Sequence, residues 1–307
     1  MTPRLAAGDW GTSAFRLWLL AEDGTVLAER RSDEGLMAAR AAGGFETVLE
    51  RHLSALGAPA DLPVLLCGMV GARSGWVEAA YLDAPLALAS IGAHATPAPD
   101  LRRPVRILPG VAQRDPARPD VMRGEETKLL GLDLADGLVV MPGTHGKWVR
   151  LSGGRLESFA TFMTGEIFAH LSASQRSVLR EALAEGEVTA DDPAFRDAVA
   201  EAAAEPASIL NRLFQLRAGW LLEQRERPAN LARLSGLLFG LECAGARDLF
   251  GSAAQPVLVA SGAAANRHAA ALEIAGFGAP TRVDAEDAVR AGLLAAARTA
   301  FDEELAA

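Results

Sequence analysis

Cysteine is nearly missing from this sequence: only Cys67 and Cys243 occur. Two thiols cannot build a disulfide framework or a four-ligand zinc site, so both are expected to be reduced and buried. The five histidines are scattered without metal-ligand spacing. No stretch approaches the roughly 18 apolar residues that a membrane-crossing helix needs. Residues Met1–Ala7 carry one Arg and none of the apolar run of a signal peptide, so a cytoplasmic location is expected. A basic excess is also lacking: the formal net charge is −9, which argues against a nucleic-acid partner, and no membrane partner is expected either. Acidity does not exclude a nucleotide, because backbone amides and one or two local cations can hold phosphates.

What is present is apolar mass. Half of the 307 residues are hydrophobic, enough for two compact cores. The opening reads as a β-meander: strand Leu5–Asp9, the turn Trp10-Gly11-Thr12-Ser13, strand Phe15–Leu20, a hairpin at Asp23-Gly24, and strand Thr25–Arg30. Phe45, Val48, Leu49, His52 and Leu53 have the spacing of a helix. A strand at Pro63–Cys67 runs into the loop Gly68–Trp76. Pro97–Pro119 reads as extended and irregular around a strand at Val105–Leu108, and Glu125–Leu132 reads as a helix.

The opening order then recurs. Strand Leu138–Met141, the turn Pro142-Gly143-Thr144-His145-Gly146, strand Lys147–Leu151, a glycine hairpin at Ser152-Gly153-Gly154, and strand Leu156–Phe162 copy the first thirty residues. The Gly-Thr pairs lie 143 − 11 = 132 residues apart, a domain-sized offset that indicates internal duplication. The rest is expected to be helical at Ala182–Ala204, Ile209–Glu223 and Leu231–Leu249. A buried strand Val257–Ala260, a short strand Thr281–Val283 and a helix from Ala285 to about Phe301 close the chain. These elements predict an α/β fold of two similar halves, residues 1–135 and 136–307, with the last helix packing back on the first.

Five segments could carry chemistry. At Asp9-Trp10-Gly11-Thr12-Ser13, glycine lets backbone amides approach an anion, Thr12 and Ser13 add hydroxyl donors, and Arg16 can reach a phosphate. Asp9 can hold Mg²⁺ through water. At Gly143-Thr144-His145-Gly146-Lys147 the backbone can grip the other side of a polyphosphate, with His145 or Lys147 supplying charge. Ser261-Gly262-Ala263, after a buried strand, leaves space under a flat ring such as adenine. Glu125 or Glu126 could accept the proton of an attacking hydroxyl, held ionised by the helix start. In the Gly68–Trp76 loop, Arg73 could pair with a carboxylate and Trp76 pack on a carbon chain. Met69, Arg123 and Glu126 complete the expected substrate contacts.

Together, Asp9-Trp10-Gly11-Thr12-Ser13, Gly68-Met69-Val70-Gly71, Met122-Arg123-Gly124-Glu125-Glu126-Thr127, Pro142-Gly143-Thr144-His145 followed by Lys147-Trp148, and Thr161–Glu166 resemble the 2-dehydro-3-deoxygalactonokinases. The resemblance implies the actin-like ATPase (ribonuclease H-like) fold with a nucleotide cleft between its halves. It also implies phosphoryl transfer from ATP, with Mg²⁺, to the 6-hydroxyl of 2-dehydro-3-deoxy-D-galactonate. It maps phosphate contacts to Asp9, Gly11, Thr12, Ser13, Gly143, Thr144 and His145, and adenosine contacts to Ser261, Gly262 and Ala263. Glu125 stands where related sugar kinases carry an Asp base. The second turn departs from many relatives, because Met141 replaces a carboxylate there, which moves the metal load to Asp9 and Glu125. A kinase for another 2-keto-3-deoxy acid or sugar, and a sugar-sensing ATP-binding regulator, are the alternative readings. A homodimer is left open.

Overall fold

The computed structural model describes residues 1–99, 102–251 and 255–301. The chain divides into two compact units. One comprises Met1–Asp136, Leu151–Ser158 and the segment from Ala285; the other comprises Gly137–Arg150 and Phe159–Asp284.

The first unit opens on Leu5–Trp10 (β1), Phe15–Leu20 (β2) and Val26–Ser32 (β3), followed by helices Leu36–Ala41 (α1) and Phe45–Ala55 (α2) and strand Val64–Gly68 (β4). After these come Tyr81–Asp83 (β5), Leu86–Ala87 (β6), Thr96–Pro97 (β7), Val105–Ile107 (β8), Gly110–Gln113 (β9), Asp120–Met122 (β10) and helix Glu125–Leu130 (α3). The main sheet has the order β3-β2-β1-β4-β8-β7. Strands β1, β4 and β8 are parallel, while β2 and β3 run antiparallel to their neighbours. All of β4 is buried, as expected of a strand covered on both faces. The outer strand β3 instead exposes Glu29 and Arg31 on a charged edge.

The predicted helical spacing holds in α2, where Phe45, Val48, Leu49, His52 and Leu53 are the buried residues. The four apolar ones join Ala6, Trp10, Leu17 and Leu66 in one core. The stretch read as irregular, Pro97–Pro119, hides strands of two to four residues. Of these, β8 lies in the main sheet near the expected Val105–Leu108, whereas β9 joins β10 and β5 in a second sheet of order β10-β9-β5. Tyr81 pairs with Gly110 in that sheet, and such distant pairing leaves no local periodicity to read.

The second unit begins with Gly137–Met141 (β11), Gly146–Ser152 (β12) and Arg155–Phe162 (β13). It continues through helices Thr164–Ala173 (α4), Pro193–Ala204 (α5), Ile209–Glu223 (α6) and Arg227–Phe250 (α7). Val257–Val259 (β14), Gly262–Ile274 (α8) and Thr281–Val283 (β15) complete it. The order β15-β14-β11-β12-β13, with β11, β14 and β15 parallel, repeats β8-β4-β1-β2-β3 of the first unit strand for strand. The two Gly-Thr turns are therefore the β1–β2 and β11–β12 connections of a duplicated topology. Residues Leu151–Ser158 at the tip of the β12–β13 hairpin group with the first unit, where Arg155 and Leu156 pair with Ala87 and Leu86. The final helix, Ala285–Ala300 (α9), also belongs there and packs on β1, β4 and α3.

Several helices differ from expectation. Helix α5 starts at Pro193 rather than Ala182, because Asp192 caps it by accepting a hydrogen bond from the Ala194 amide at 2.8 Å, with proline at the first position. Helix α8 is rich in alanine and α4 is only ten residues long, so neither showed a long hydrophobic stripe in the sequence. Cys67 and Cys243 are free and buried, as expected. No helix among the described residues is long and apolar enough to cross a membrane.

Candidate active site

The first candidate residues collect at the C-terminal ends of β1 and β4. Their register sets Asp9 beside Cys67 and Trp10 beside Gly68. Gly68 has φ +91°, and a Cβ there would stand 2.8 Å from the Trp10 carbonyl oxygen. Gly124, with φ +104°, lies against it, its Cβ position 3.3 Å from the Gly68 Cα. Two glycine backbones in contact at positive φ are what let the start of α3 approach the end of β1.

Asp9 sits in that contact with its side chain 22% exposed. Burial pushes its carboxyl above the usual carboxylate range. The Lys128 and Arg16 charges pull it down, Glu125 adds to the upward push, and the Cys67 thiol donates weakly to Oδ1 at 3.9 Å. Arg16 lies 3.7 Å from Asp9 Oδ2 and 3.6 Å from Glu286 on α9. The expected phosphate arginine is thus shared between two carboxylates.

Glu125 and Glu126 separate cleanly. Glu126 is fully buried. It accepts from the Gly124 amide at 2.7 Å and from the Thr127 hydroxyl at 3.0 Å. Burial, with the neighbouring Glu125 charge, pushes its pKa up to about 7. This corrects two expectations: burial outweighs the helix start in setting the Glu126 pKa, and Glu126 has no exposed surface with which to touch a substrate. Glu125 is half-buried and accepts from the Arg123 amide at 3.1 Å. Arg123 is also displaced from the expected substrate role. Its Nη2 donates to the Ala79 carbonyl at 2.8 Å, its guanidinium lies 4.3 Å over the Tyr81 ring, and Nε and Nη1 are buried. It ties the β5 strand to the loop rather than facing solvent.

That loop is firmly built. Trp76 donates its amide to the Val70 carbonyl at 2.8 Å and stacks on Phe45 with ring centres 6.2 Å apart. Met69 is half-buried against the same core. Arg73 is exposed at the loop's crest, and no described residue pairs with it.

The first turn closes when the Gly11 amide donates to the Ala14 carbonyl at 2.9 Å, so that amide is not free for an anion. Thr12 and Ser13 are exposed. Gly35 braces the turn from behind, where a Cβ would stand 2.3 Å from the Thr12 carbonyl oxygen.

The second turn is braced in the same manner. Gly143 and Thr144 are exposed, and Gly165 at the start of α4 lies beneath them. The Glu166 amide donates to the Thr144 carbonyl at 3.0 Å. His145 Nε2 meets Glu166 Oε2 at 2.5 Å, a contact that holds the Glu166 carboxyl below its usual range. Lys147, expected to offer charge to a phosphate, is buried and donates to the His145 carbonyl at 2.9 Å. It supports the turn from inside.

Sequence reasoning missed the cavity beside this turn. It encloses about 250 Å³, and its wall includes Gly143, Thr164, Phe168, Phe239, Glu242 and His268. Glu242 is buried and accepts from Trp148 Nε1 at 2.8 Å; burial pushes its carboxyl up. A glutamate inside the apolar run of α7, one heptad from Ser235, was the available signal. Ser261, Gly262 and Ala263 lie exposed at the start of α8. Ala264, in the first turn of that helix, reaches the cavity wall. Lys128 was likewise missed; being one turn of α3 from the glutamates was its only hint.

A match to the 2-keto-3-deoxy-galactonokinase family spans residues 9–296. A Rhizobium meliloti protein named as a probable 2-dehydro-3-deoxygalactonokinase is 52% identical over 298 residues, covering 95% of this chain and 96% of that one. The 2-dehydro-3-deoxygalactonokinase of Escherichia coli is 34% identical over 295 residues, covering 95% and 97%. A Sinorhizobium meliloti crystal structure of the same description superposes with a TM-score of 0.91 at 52% identity, covering 96% of this chain and 98% of that one. With the duplicated topology and both braced turns in place, this chain belongs to the 2-keto-3-deoxy-galactonokinase family.

Proposed function

We propose that this chain is a kinase that transfers the terminal phosphoryl group of ATP to the 6-hydroxyl of 2-dehydro-3-deoxy-D-galactonate in D-galactonate breakdown. The observation that carries the reading is the cluster at the end of β1. There a carboxylate, two cations and the half-buried Glu125 meet around two glycine backbones, next to an exposed hydroxyl-bearing turn.

The phosphate contacts are Thr12 and Ser13 in the first turn and Gly143, Thr144 and His145 in the second. The cavity beside the second turn takes the adenosine, with Phe168, Leu238 and Phe239 as apolar walls and Ser261-Gly262-Ala263 leaving the approach along α8 clear of bulk. Glu125 orients the 6-hydroxyl and accepts its proton as that oxygen bonds to the γ-phosphorus; the bond from phosphorus to the β,γ-bridging oxygen breaks, and ADP leaves. Asp9 and Glu125 are hard oxygen donors of the kind that hold Mg²⁺ together with water and phosphate oxygens. When bound, the ion supplies charge neutralisation on the phosphates. Arg16 and Lys128 add positive charge beside Asp9. Arg73, with no described partner, recognises the substrate carboxylate, and Met69 and Trp76 shape the loop that presents it.

A coupled ADP-release assay tests this on 2-dehydro-3-deoxy-D-galactonate, its C4 epimer and unmodified hexoses. The galactonate derivative is expected to give the highest kcat/KM. Its failure to turn over, with any other acceptor consumed, removes the proposed substrate.

A further inference from the structure

One wall of the cavity in the second unit carries an imidazole whose proton position is fixed. His268 lies one turn after Ala264 on α8, with Nδ1 2.7 Å from the Ala264 carbonyl oxygen. A carbonyl oxygen can only accept, so Nδ1 carries the hydrogen, and Nε2 of the neutral ring is left as a bare acceptor. Burial pushes the His268 pKa down to about 4, which keeps the ring neutral at ordinary pH. Phe239 meets the ring edge-on, with centres 4.3 Å apart at 79°, and sets its plane. No described residue pairs with Nε2.

The charged side chains on this wall are already engaged. Glu242 accepts from Trp148 and from the Thr164 side chain. Arg267 donates to the Val188 carbonyl at 2.9 Å. An acceptor of fixed tautomer, set among Phe168, Leu238 and Phe239, is therefore matched to a flat heteroaromatic ring that brings a hydrogen-bond donor on its edge.

We propose that His268 reads the nucleobase, its Nε2 accepting a hydrogen bond from the 6-amino group of adenine, which makes this residue the determinant of adenine over 6-oxo purines. The inference rests on the reading above that the adenosine of ATP occupies this cavity. A 6-oxo purine would turn an oxygen lone pair toward the Nε2 lone pair and leave both acceptors unmet. Sites built to pair a polar group reject such analogues far more strongly than apolar walls do. The expected discrimination is roughly 10- to 100-fold. His268 touches the base and not the reacting phosphate, so its loss should appear in nucleotide choice.

Calorimetric titration of the full chain with ADP, inosine 5′-diphosphate and purine riboside 5′-diphosphate (which lacks the 6-substituent) tests this. Two variants accompany the wild type: His268→Leu, and His268→Phe, which keeps a ring against Phe239 without the nitrogen. The wild type is expected to bind ADP at least about tenfold more tightly than the inosine analogue. In either folded variant the ratio should fall to within about threefold, through weaker ADP binding. A wild type that binds the two diphosphates equally, or a folded variant that keeps the full ratio, overturns the proposal. The two readings fail differently: a wild type that binds no purine nucleotide and consumes no ATP defeats the kinase reading itself. Normal turnover with an unchanged ratio in the variants removes only His268.

Discussion

Glu125 and Glu126 are neighbours in sequence and opposites in environment. Glu126 satisfies the Gly124 amide and the Thr127 hydroxyl inside the protein, whereas Glu125 stays half-buried beside Asp9. Glu125→Gln is expected to lower kcat about a hundredfold or more with near-normal nucleotide affinity, and Glu126→Gln to lower it far less. Steady-state kinetics with calorimetry on both variants checks this, and the opposite ranking would move the base to Glu126. Both carboxylates were legible in the sequence, but their division of labour was not, because it depends on where the Gly124 backbone turns. Glu34 shows a second residue-level device. Arg51 and His52 hold its carboxylate down to about 2, while its backbone carbonyl accepts from Trp10 Nε1 at 2.8 Å. Its folded-state pKa is depressed, so the stabilisation is complete above about 4.5 and fades as pH falls toward about 2. The melting temperature of Glu34→Gln should therefore lie below that of the wild type near neutrality, and the gap should close on acidification. A gap independent of pH would mean that the carboxylate charge is not what holds this corner.

At the level of elements, each proposed phosphate turn is a hairpin end braced by a glycine from a following segment: Gly35 beneath Thr12, and Gly165 beneath Gly143. Gly165→Ala would place a Cβ 2.5 Å from the Gly143 carbonyl oxygen and 2.8 Å from the Thr144 Cα. Overpacking of this kind costs about 1–3 kcal/mol, and the turn is the part that gives way. The expected outcome is at least a tenfold loss of kcat/KM for ATP with a modest loss of melting temperature. Unchanged kinetics would show that the second turn need not keep its shape. The strands on both sides of each turn were readable from apolar runs and glycine hairpins, but the braces were not. Gly35 and Gly165 matter through close approach to distant backbone, and sequence patterns carry no trace of that contact. The same limit explains the unforeseen cavity wall, assembled from α4, α7 and α8, two of which have no marked apolar stripe.

On the scale of the whole molecule, duplication was the most legible property, since Gly11-Thr12 and Gly143-Thr144 each sit between the same ordered strands. The structure sharpened it from a repeated motif to a repeated sheet order. The three-stranded sheet β10-β9-β5 and the grouping of Leu151–Ser158 with the first unit stayed hidden, because both rest on pairings between short, distant segments. The duplicated plan has a chemical consequence. The copies are unequal in their acids: Asp9 stands two residues before the first Gly-Thr pair, while Met141 stands two before the second, so the first unit carries the carboxylates proposed for catalysis. The most direct test of the whole account is ³¹P–¹H correlation NMR of the product formed by the purified chain from ATP and 2-dehydro-3-deoxy-D-galactonate. The account predicts one phosphomonoester coupled to the C6 protons, formed by the wild type and essentially absent with Asp9→Asn. Phosphate on another carbon, or an undiminished product signal from Asp9→Asn, would contradict it.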